Sequence, residues 1–328
     1  MIRLPPFEFL SPRSLEEAVE MKVKHGSEAM YVSGGTDLYP KMKRRQFTPK
    51  ILIGLNRIGE LREISNSNGM VIGAGLTLSE LASHPEVIHK YSALATAAGL
   101  VSSPPLRNVG TIGGNLCVDT RCTYYDQTYA WRKALGFCLK KSGDTCWVAL
   151  SSPRCMAVSS SDCAPVAIAL STRVRLVGPE GERTIPVGAL YRNDGKEYLA
   201  KLPDEILVSI HLPDLEGWRT AYWKMRRRGS IDFPILGVAV ALQLDSDGEC
   251  KDARIVLGAV ASQPLIAEKA AQLLIGQKIS PELVEAAAQE AYQLAKPLDN
   301  TDMALGYRKK MSRIYISAAL SEACGLPV

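Results

Sequence analysis

The chain has 328 residues, 46% of them hydrophobic and 22% charged, with a formal net charge of +5 at pH 7. This length is too great for a single small core and predicts two or three domains of an ordinary globular protein. The mild positive charge, without a Lys/Arg-rich tail or interleaved aromatics, excludes a polybasic nucleic-acid binder.

In chain order, SPRSLEEAVEMKVKHG predicts a helix with Ser14 as N-cap, Glu16 and Glu17 in the first turn and Gly26 ending it. AMYVSGGTDLYPKMK predicts a short strand breaking at Gly34-Gly35, and KILIGLNRI a buried strand. GMVIGAGLTLSEL reads as a strand turning at Gly73–Gly75 into a helix opened by Thr77 or Ser79, and YSALATAAGLVSS as a closely packed small-residue helix. The alternation points to an α+β or α/β unit through about Asn115. Residues 116–160 break the pattern. Regularity returns with DCAPVAIALSTRVRLVG, a helix then a strand, followed by the strand-like ERTIPVGALY and EILVSIHLP and a linker at Leu212–Gly217. A further unit opens with the strand-like TAYWKMRRR, then a strand, an Asp-Ser-Asp-Gly turn and a strand across FPILGVAVALQLDSDGECKDARIVLGAV. PLIAEKAAQLLIG, SPELVEAAAQEAYQLA (opened by Ser280 with Pro281 at N1) and YRKKMSRIYISAALSEA predict helices. The longest apolar run, near Pro234–Leu244, falls far short of the roughly 20 residues of a membrane helix. MIRLPPFEFL lacks the basic-then-apolar pattern of a signal peptide, so a cytoplasmic protein is expected.

Two glycine pairs, SGGTD at Ser33–Asp37 and GTIGGN at Gly110–Asn115, share one logic. Glycine permits left-handed backbone and close approach, and successive N–H groups can form an anion nest. The hydroxyls of Ser33, Thr36 and Thr111 and the amide of Asn115 add donors, so the two loops would cradle a pyrophosphate; both also read as plain tight turns. Neither is GxGxxG or GxxxxGK[ST], which disfavours a nicotinamide dehydrogenase and a P-loop.

The ordered set SGGTDL, RNVGTIGGN, SDCAPVAIAL, DEILVSIHLP and YWKMRRRGSIDFPILGVAVAL resembles the FAD-binding subunit of the molybdenum hydroxylases. That family includes the medium subunits of carbon monoxide dehydrogenases and the flavin domain of xanthine dehydrogenases. The likeness runs from PPFEFLSPRSLEEAV to the C-terminal helices. It implies an α+β fold. An FAD-binding domain of two small α/β lobes (PCMH or vanillyl-alcohol-oxidase-like) would occupy 1–57 and 58–215. A C-terminal α/β sandwich domain, like that of CO dehydrogenase flavoproteins, would occupy 216–328. By motif match, Ser33, Gly34, Gly35, Thr36 and Asp37 would form one diphosphate loop, and Gly110, Thr111, Gly113, Gly114 and Asn115 the other. Asp162 would bind the ribityl or ribose hydroxyls, Leu207 would pack near the adenine or ring system, and Lys224 would lie by the polar edge of the isoalloxazine. Without the motif, Lys224 reads as a solvated strand lysine.

Six cysteines fall between Cys117 and Cys163. Those two sit on the family frame, where most members pass almost directly from GGNLC to SSDCAP; here about 40 residues intervene. Cys122, Cys138, Cys146 and Cys155 lie within the insertion, with 15, 7 and 8 residues between them. That spacing leaves an iron–sulfur cluster, a structural zinc and inert thiols all open. A coreless loop of this length needs a staple, and an electron-passing flavoprotein has a use for a redox-active one. The insertion resembles that of the flavin subunit of the 4-hydroxybenzoyl-CoA reductases, whose cysteine-bearing loop holds an extra [4Fe–4S] cluster. The resemblance implies Cys122, Cys138, Cys146 and Cys155 as ligands, with Cys117 or Cys163 as possible replacements. Cys250 and Cys324 read as ordinary thiols.

The enzyme so implied removes the para-hydroxyl of 4-hydroxybenzoyl-CoA reductively. Its partners would be a large molybdenum-cofactor subunit, a small subunit with two [2Fe–2S] clusters and a ferredoxin donor, assembled as a dimer of heterotrimers. This chain would carry FAD and the extra cluster and no catalytic acid or base. Lys140, Lys141 and Arg132 are candidates to dock an acidic ferredoxin, though surface charges are usually just solvated. The competing readings are the FAD subunit of a conventional hydroxylase acting on an aldehyde, a heteroaromatic or CO, with a structural metal loop, and a non-catalytic metal-binding scaffold.

Overall fold

The computed structural model describes residues 3–66 and 68–328. Among the described residues it is a mixed helix-and-sheet protein built on three sheets. The first is parallel, in the order β1 (Glu8–Leu10), β3 (Ile51–Gly54), β2 (Ala29–Val32). Between its strands lies the Leu15–His25 helix, capped by Ser14, whose hydroxyl accepts from the Glu17 amide, and ended at Gly26 as the sequence predicts. Leu15, Ala18 and Val19 pack onto Ile51 and Ile53.

The second sheet is antiparallel, with β4 (Ile64–Asn66), β5 (Gly69–Gly73), β8 (Ile206–Pro213), β6 (Arg173–Gly178) and β7 (Gly181–Pro186) in that order. β8 returns to pair with β5 across more than a hundred residues of chain, and Leu212 and Pro213 face Met70 and Gly69. The linker therefore begins only after Pro213, because apolar Leu212 completes the register. The strand-like ERTIPVGALY is divided: β7 stops at Pro186, and Val187–Leu190 forms a 3₁₀ turn. Covering this sheet are the capped Leu78–Ser83 helix, with Thr77 and Glu80 as a capping box, the small-residue Ser92–Leu100 helix and the Cys163–Ala169 helix.

The third sheet is an antiparallel meander of β9 (Trp218–Met225), β10 (Leu236–Leu244), β11 (Cys250–Gly258) and β12 (Leu265–Ile266). The Asp-Ser-Asp-Gly turn joins β10 to β11, with Gly248 at positive φ. Leu265 and Ile266, read from sequence as the start of a helix, instead pair with Leu257 and Val256, and the helix is Glu268–Leu274. This helix, Pro281–Tyr292 and Leu305–Cys324 bury alanine-rich faces on one side of the sheet. From its other side Tyr222, Ala239, Ala241 and Val256 join the core of the second sheet.

The insertion is a small folded body. Arg121 and Val158 exchange backbone hydrogen bonds at its base, 2.8 and 2.7 Å long. Its one helix, Tyr129–Ala134, is capped by Thr128. Its core is Cys122, Tyr125, Cys155 and Ala157, with Tyr124, Cys138, Leu139 and Val148 packed around them. No helix among the described residues is long and apolar enough to cross a membrane.

Candidate functional site: a glycine-walled cleft beside a cysteine-lined cavity

Two cavities, of about 280 and 750 Å³, meet along the glycine loops. The smaller is lined by Ser33, Gly34, Gly35, Thr36, Asp37, Gly110, Thr111, Gly114 and Asn115, the larger by Ser33, Thr111, Gly113, Gly114 and Leu207. The loops also touch each other. The Thr111 hydroxyl donates to Ser33 Oγ at 3.2 Å, and a Cβ on Gly34 would collide with the Val109 carbonyl oxygen. GTIGGN is held from behind by the turn after β5: Ile112 and Gly113 donate to the carbonyls of Leu76 and Ala74. A Cβ on Gly113 would stand 2.6 Å from that of Ala74. Glycine here lets one backbone lie flat on another and leaves main-chain edges facing the cleft. Such a cradle of main-chain edges suits a diphosphate group.

The polar side chains at the cleft are largely committed. Asn115 Oδ1 accepts from the Ser161 hydroxyl at 2.7 Å and the Cys163 amide at 3.1 Å, tying GTIGGN to the start of the helix that begins within SSDCAP. Asp37 is ion-paired with Arg121 at the start of the insertion, and the Arg121 guanidinium lies 4.0 Å from the Phe233 ring centroid. Burial nevertheless raises the Asp37 carboxyl above its ordinary value.

Asp162 and Lys224 line neither cavity. They face each other: Lys224 Nζ is 3.0 Å from Asp162 Oδ2 and 2.9 Å from the Leu100 carbonyl, while the Tyr222 hydroxyl donates to Asp162 Oδ1 at 2.8 Å. Desolvation lowers the Lys224 ammonium and raises the Asp162 carboxyl from their ordinary values. The solvated-strand reading of Lys224 does not hold, since its side chain is 1% exposed.

Sequence reasoning missed several lining residues. Phe233 lies inside the quoted YWKMRRRGSIDF stretch. Tyr198, Asp119 and Lys201 carry no motif and reach the cleft through the fold alone.

Beside the cleft, Cys122, Cys138, Cys146 and Cys155 line one small cavity, together with Tyr124, Tyr125, Lys140 and Trp147. Burial pushes the Cys122 thiol up to about 12 and Cys155 up to about 11, and neighbouring cysteines add to both shifts. The Ala157 N–H points at the Cys155 sulfur, 3.4 Å away, and the Tyr125 N–H donates to the Cys122 carbonyl at 3.0 Å. Among the described residues no group of three or more His, Cys, Asp or Glu side chains is placed to hold a metal ion. Cys117 and Cys163 stand apart from this cavity, Cys117 in the glycine-walled cleft and Cys163 wholly buried in the core of the second sheet.

Of the basic residues expected to greet a ferredoxin, Arg132 and Lys140 are used internally, while Lys141 is exposed. Arg132 is 2% and Lys140 9% exposed. Arg132 donates to the carbonyls of Arg44 and Gln127, and Lys141 Nζ to the Gln46 carbonyl. They seat the insertion on the N-terminal lobe, because buried carbonyls there need donors.

Residues 5–215 match the FAD binding domain in molybdopterin dehydrogenase, and residues 220–323 the CO dehydrogenase flavoprotein C-terminal domain. The carbon monoxide dehydrogenase medium chain of Hydrogenophaga pseudoflava is 30% identical over 97% of both chains. The FAD-binding subunit of an aldehyde oxidoreductase of Escherichia coli is 35% identical over 76% of this chain and 80% of that one. A solved structure of the Hydrogenophaga carbon monoxide dehydrogenase, lacking the Mo-pyranopterin moiety, superimposes with a TM-score of 0.80 at 30% identity, covering 98% of this chain and 99% of that one. The chain is thus an FAD-binding oxidoreductase subunit and belongs to the molybdenum hydroxylase family.

Proposed function

We propose that the chain is the FAD and [4Fe–4S] electron-transfer subunit of a molybdenum-containing 4-hydroxybenzoyl-CoA reductase. It works with a large molybdenum-cofactor subunit and a small subunit carrying two [2Fe–2S] clusters, and receives low-potential electrons from a ferredoxin. In the overall reaction the aromatic C–O bond breaks and a C–H bond forms; two electrons and two protons enter, and benzoyl-CoA and water leave.

The observation that carries this reading is the convergence of four insertion cysteines on one cavity, three of them, Cys122, Cys138 and Cys155, also part of the insertion's packing core. Cys122 and Cys155, held at raised values by burial, require a cationic group to ionise them, and the Ala157 N–H aimed at the Cys155 sulfur favours the thiolate. Bound FAD supplies one- and two-electron steps and an iron–sulfur cluster one-electron steps. The chain's own task is to hold FAD on the glycine loops and the cluster on the cysteines, and to pack the space between them with protein.

A second reading has support in the names of the relatives, which are a carbon monoxide dehydrogenase and an aldehyde oxidoreductase. In it, the same subunit serves an oxidising enzyme. The purified complex decides between them when supplied with 4-hydroxybenzoyl-CoA and a reduced viologen. Benzoyl-CoA formation supports the reductase. Dye reduction by aldehydes or CO, with no benzoyl-CoA, overturns it in favour of the oxidising enzyme.

A further inference from the structure

Lys140 sits in the insertion between Cys138 and Cys146 and lines the cysteine cavity. Its Nζ donates to Asp119 Oδ1 and Thr120 Oγ1, each at 2.7 Å, and to the Gly195 carbonyl. An ammonium has three donors, so none is left for a sulfur, and Lys140 acts on the cavity only as a fixed charge. Asp119 lines the flavin cleft, and its Oδ2 accepts from Lys41 Nζ at 2.6 Å. Lys41, wholly buried, belongs to the Leu38–Lys43 helix that follows the SGGTD loop. The Tyr125 ring, part of the cysteine cavity wall, lies 5.2 Å from Lys140 Nζ and 5.4 Å from Lys41 Nζ.

Two ammonium groups therefore share one carboxylate between the two cavities. An excess positive charge out of water is costly unless an anion faces it. The side Lys140 faces is the one lined by the four cysteines, where thiolates around an iron–sulfur group carry net negative charge.

We propose that Lys140 is a positioning charge that raises the reduction potential of the iron–sulfur group on Cys122, Cys138, Cys146 and Cys155, and that Asp119 opposes it while linking that site to the flavin cleft. The inference rests on the cluster reading above. A fixed cation stabilises the form that has gained an electron, and a fixed carboxylate does the reverse.

The test is a dye-mediated redox titration of the assembled enzyme, followed by electron paramagnetic resonance of the cluster, with iron content measured on each sample. K140M lowers the one-electron reduction equilibrium constant at least tenfold, about 59 mV. D119N, which keeps the cation and removes the carboxylate, moves the potential the opposite way. A merely structural role would shift both variants in one direction or strip iron from both. Shifts of the same sign, or less than twofold in K140M with iron intact, overturn the proposal. If K140M loses its iron, D119N decides: an unmoved or lowered potential overturns it. A wild-type enzyme without iron overturns the cluster reading itself.

Discussion

Lys224 Nζ lies 3.0 Å from Asp162 Oδ2, with both side chains almost fully buried. The pair joins β9 to the helix that begins within SSDCAP, and Lys224 also holds the Leu100 carbonyl, next to Val101 and Ser102 in the wall of the glycine-walled cleft. Removing the cation leaves a buried carboxylate with Tyr222 as its remaining side-chain partner. K224M should therefore lose about 3–5 kcal/mol in urea denaturation. Adding D162N to K224M should recover part of that loss, because it removes the stranded charge.

How much of this was legible in the sequence follows from what each motif encodes. Helix caps are local, so Ser14, Thr77 and Ser280 announced their helices and hold them. The glycine loops were legible because close backbone approach demands glycine. The Asp162–Lys224 contact was not, since it joins residues 62 apart in sequence that the fold alone brings together. For the same reason Arg132 and Lys140 read as surface charges until the insertion folded back over the N-terminal lobe.

The glycine loops give a graded test of flavin binding. In G34A the new methyl meets the Val109 carbonyl, which is main chain and has nowhere to go, so the two loops must part. In G114A the methyl meets only the Thr111 hydroxyl, at 3.1 Å. Flavin absorbance per protein should fall at least tenfold in the first variant and no more than a few-fold in the second.

Asp119 makes stability depend on acid. Lys140 and Lys41, prevailing over desolvation, hold its folded carboxyl below the ordinary 3.8. Its stabilisation is thus fully present above that value and is lost as pH falls from it through the folded value. D119N should be less stable than wild type by about 1.5–3 kcal/mol at pH 7. The gap in urea midpoints should close as pH drops below 3.8.

Arg132 tests how the insertion is seated. Its guanidinium bonds the Arg44 and Gln127 carbonyls and lies 5.6 Å from the Tyr125 ring centroid. R132M should lose about 1.5–3 kcal/mol locally. Limited proteolysis should then cut within 121–158 several-fold faster, with flavin content unchanged.

The central claim, an iron–sulfur group on the insertion cysteines, is tested most directly by iron, acid-labile sulfide, zinc and flavin analysis of the purified protein, beside its C155S and C163A variants. About four irons and four sulfides per FAD are expected in wild type, above any iron carried by partner subunits. C155S should lose them while keeping flavin, and C163A should keep both. Stoichiometric zinc, or no metal with flavin present, would contradict the account.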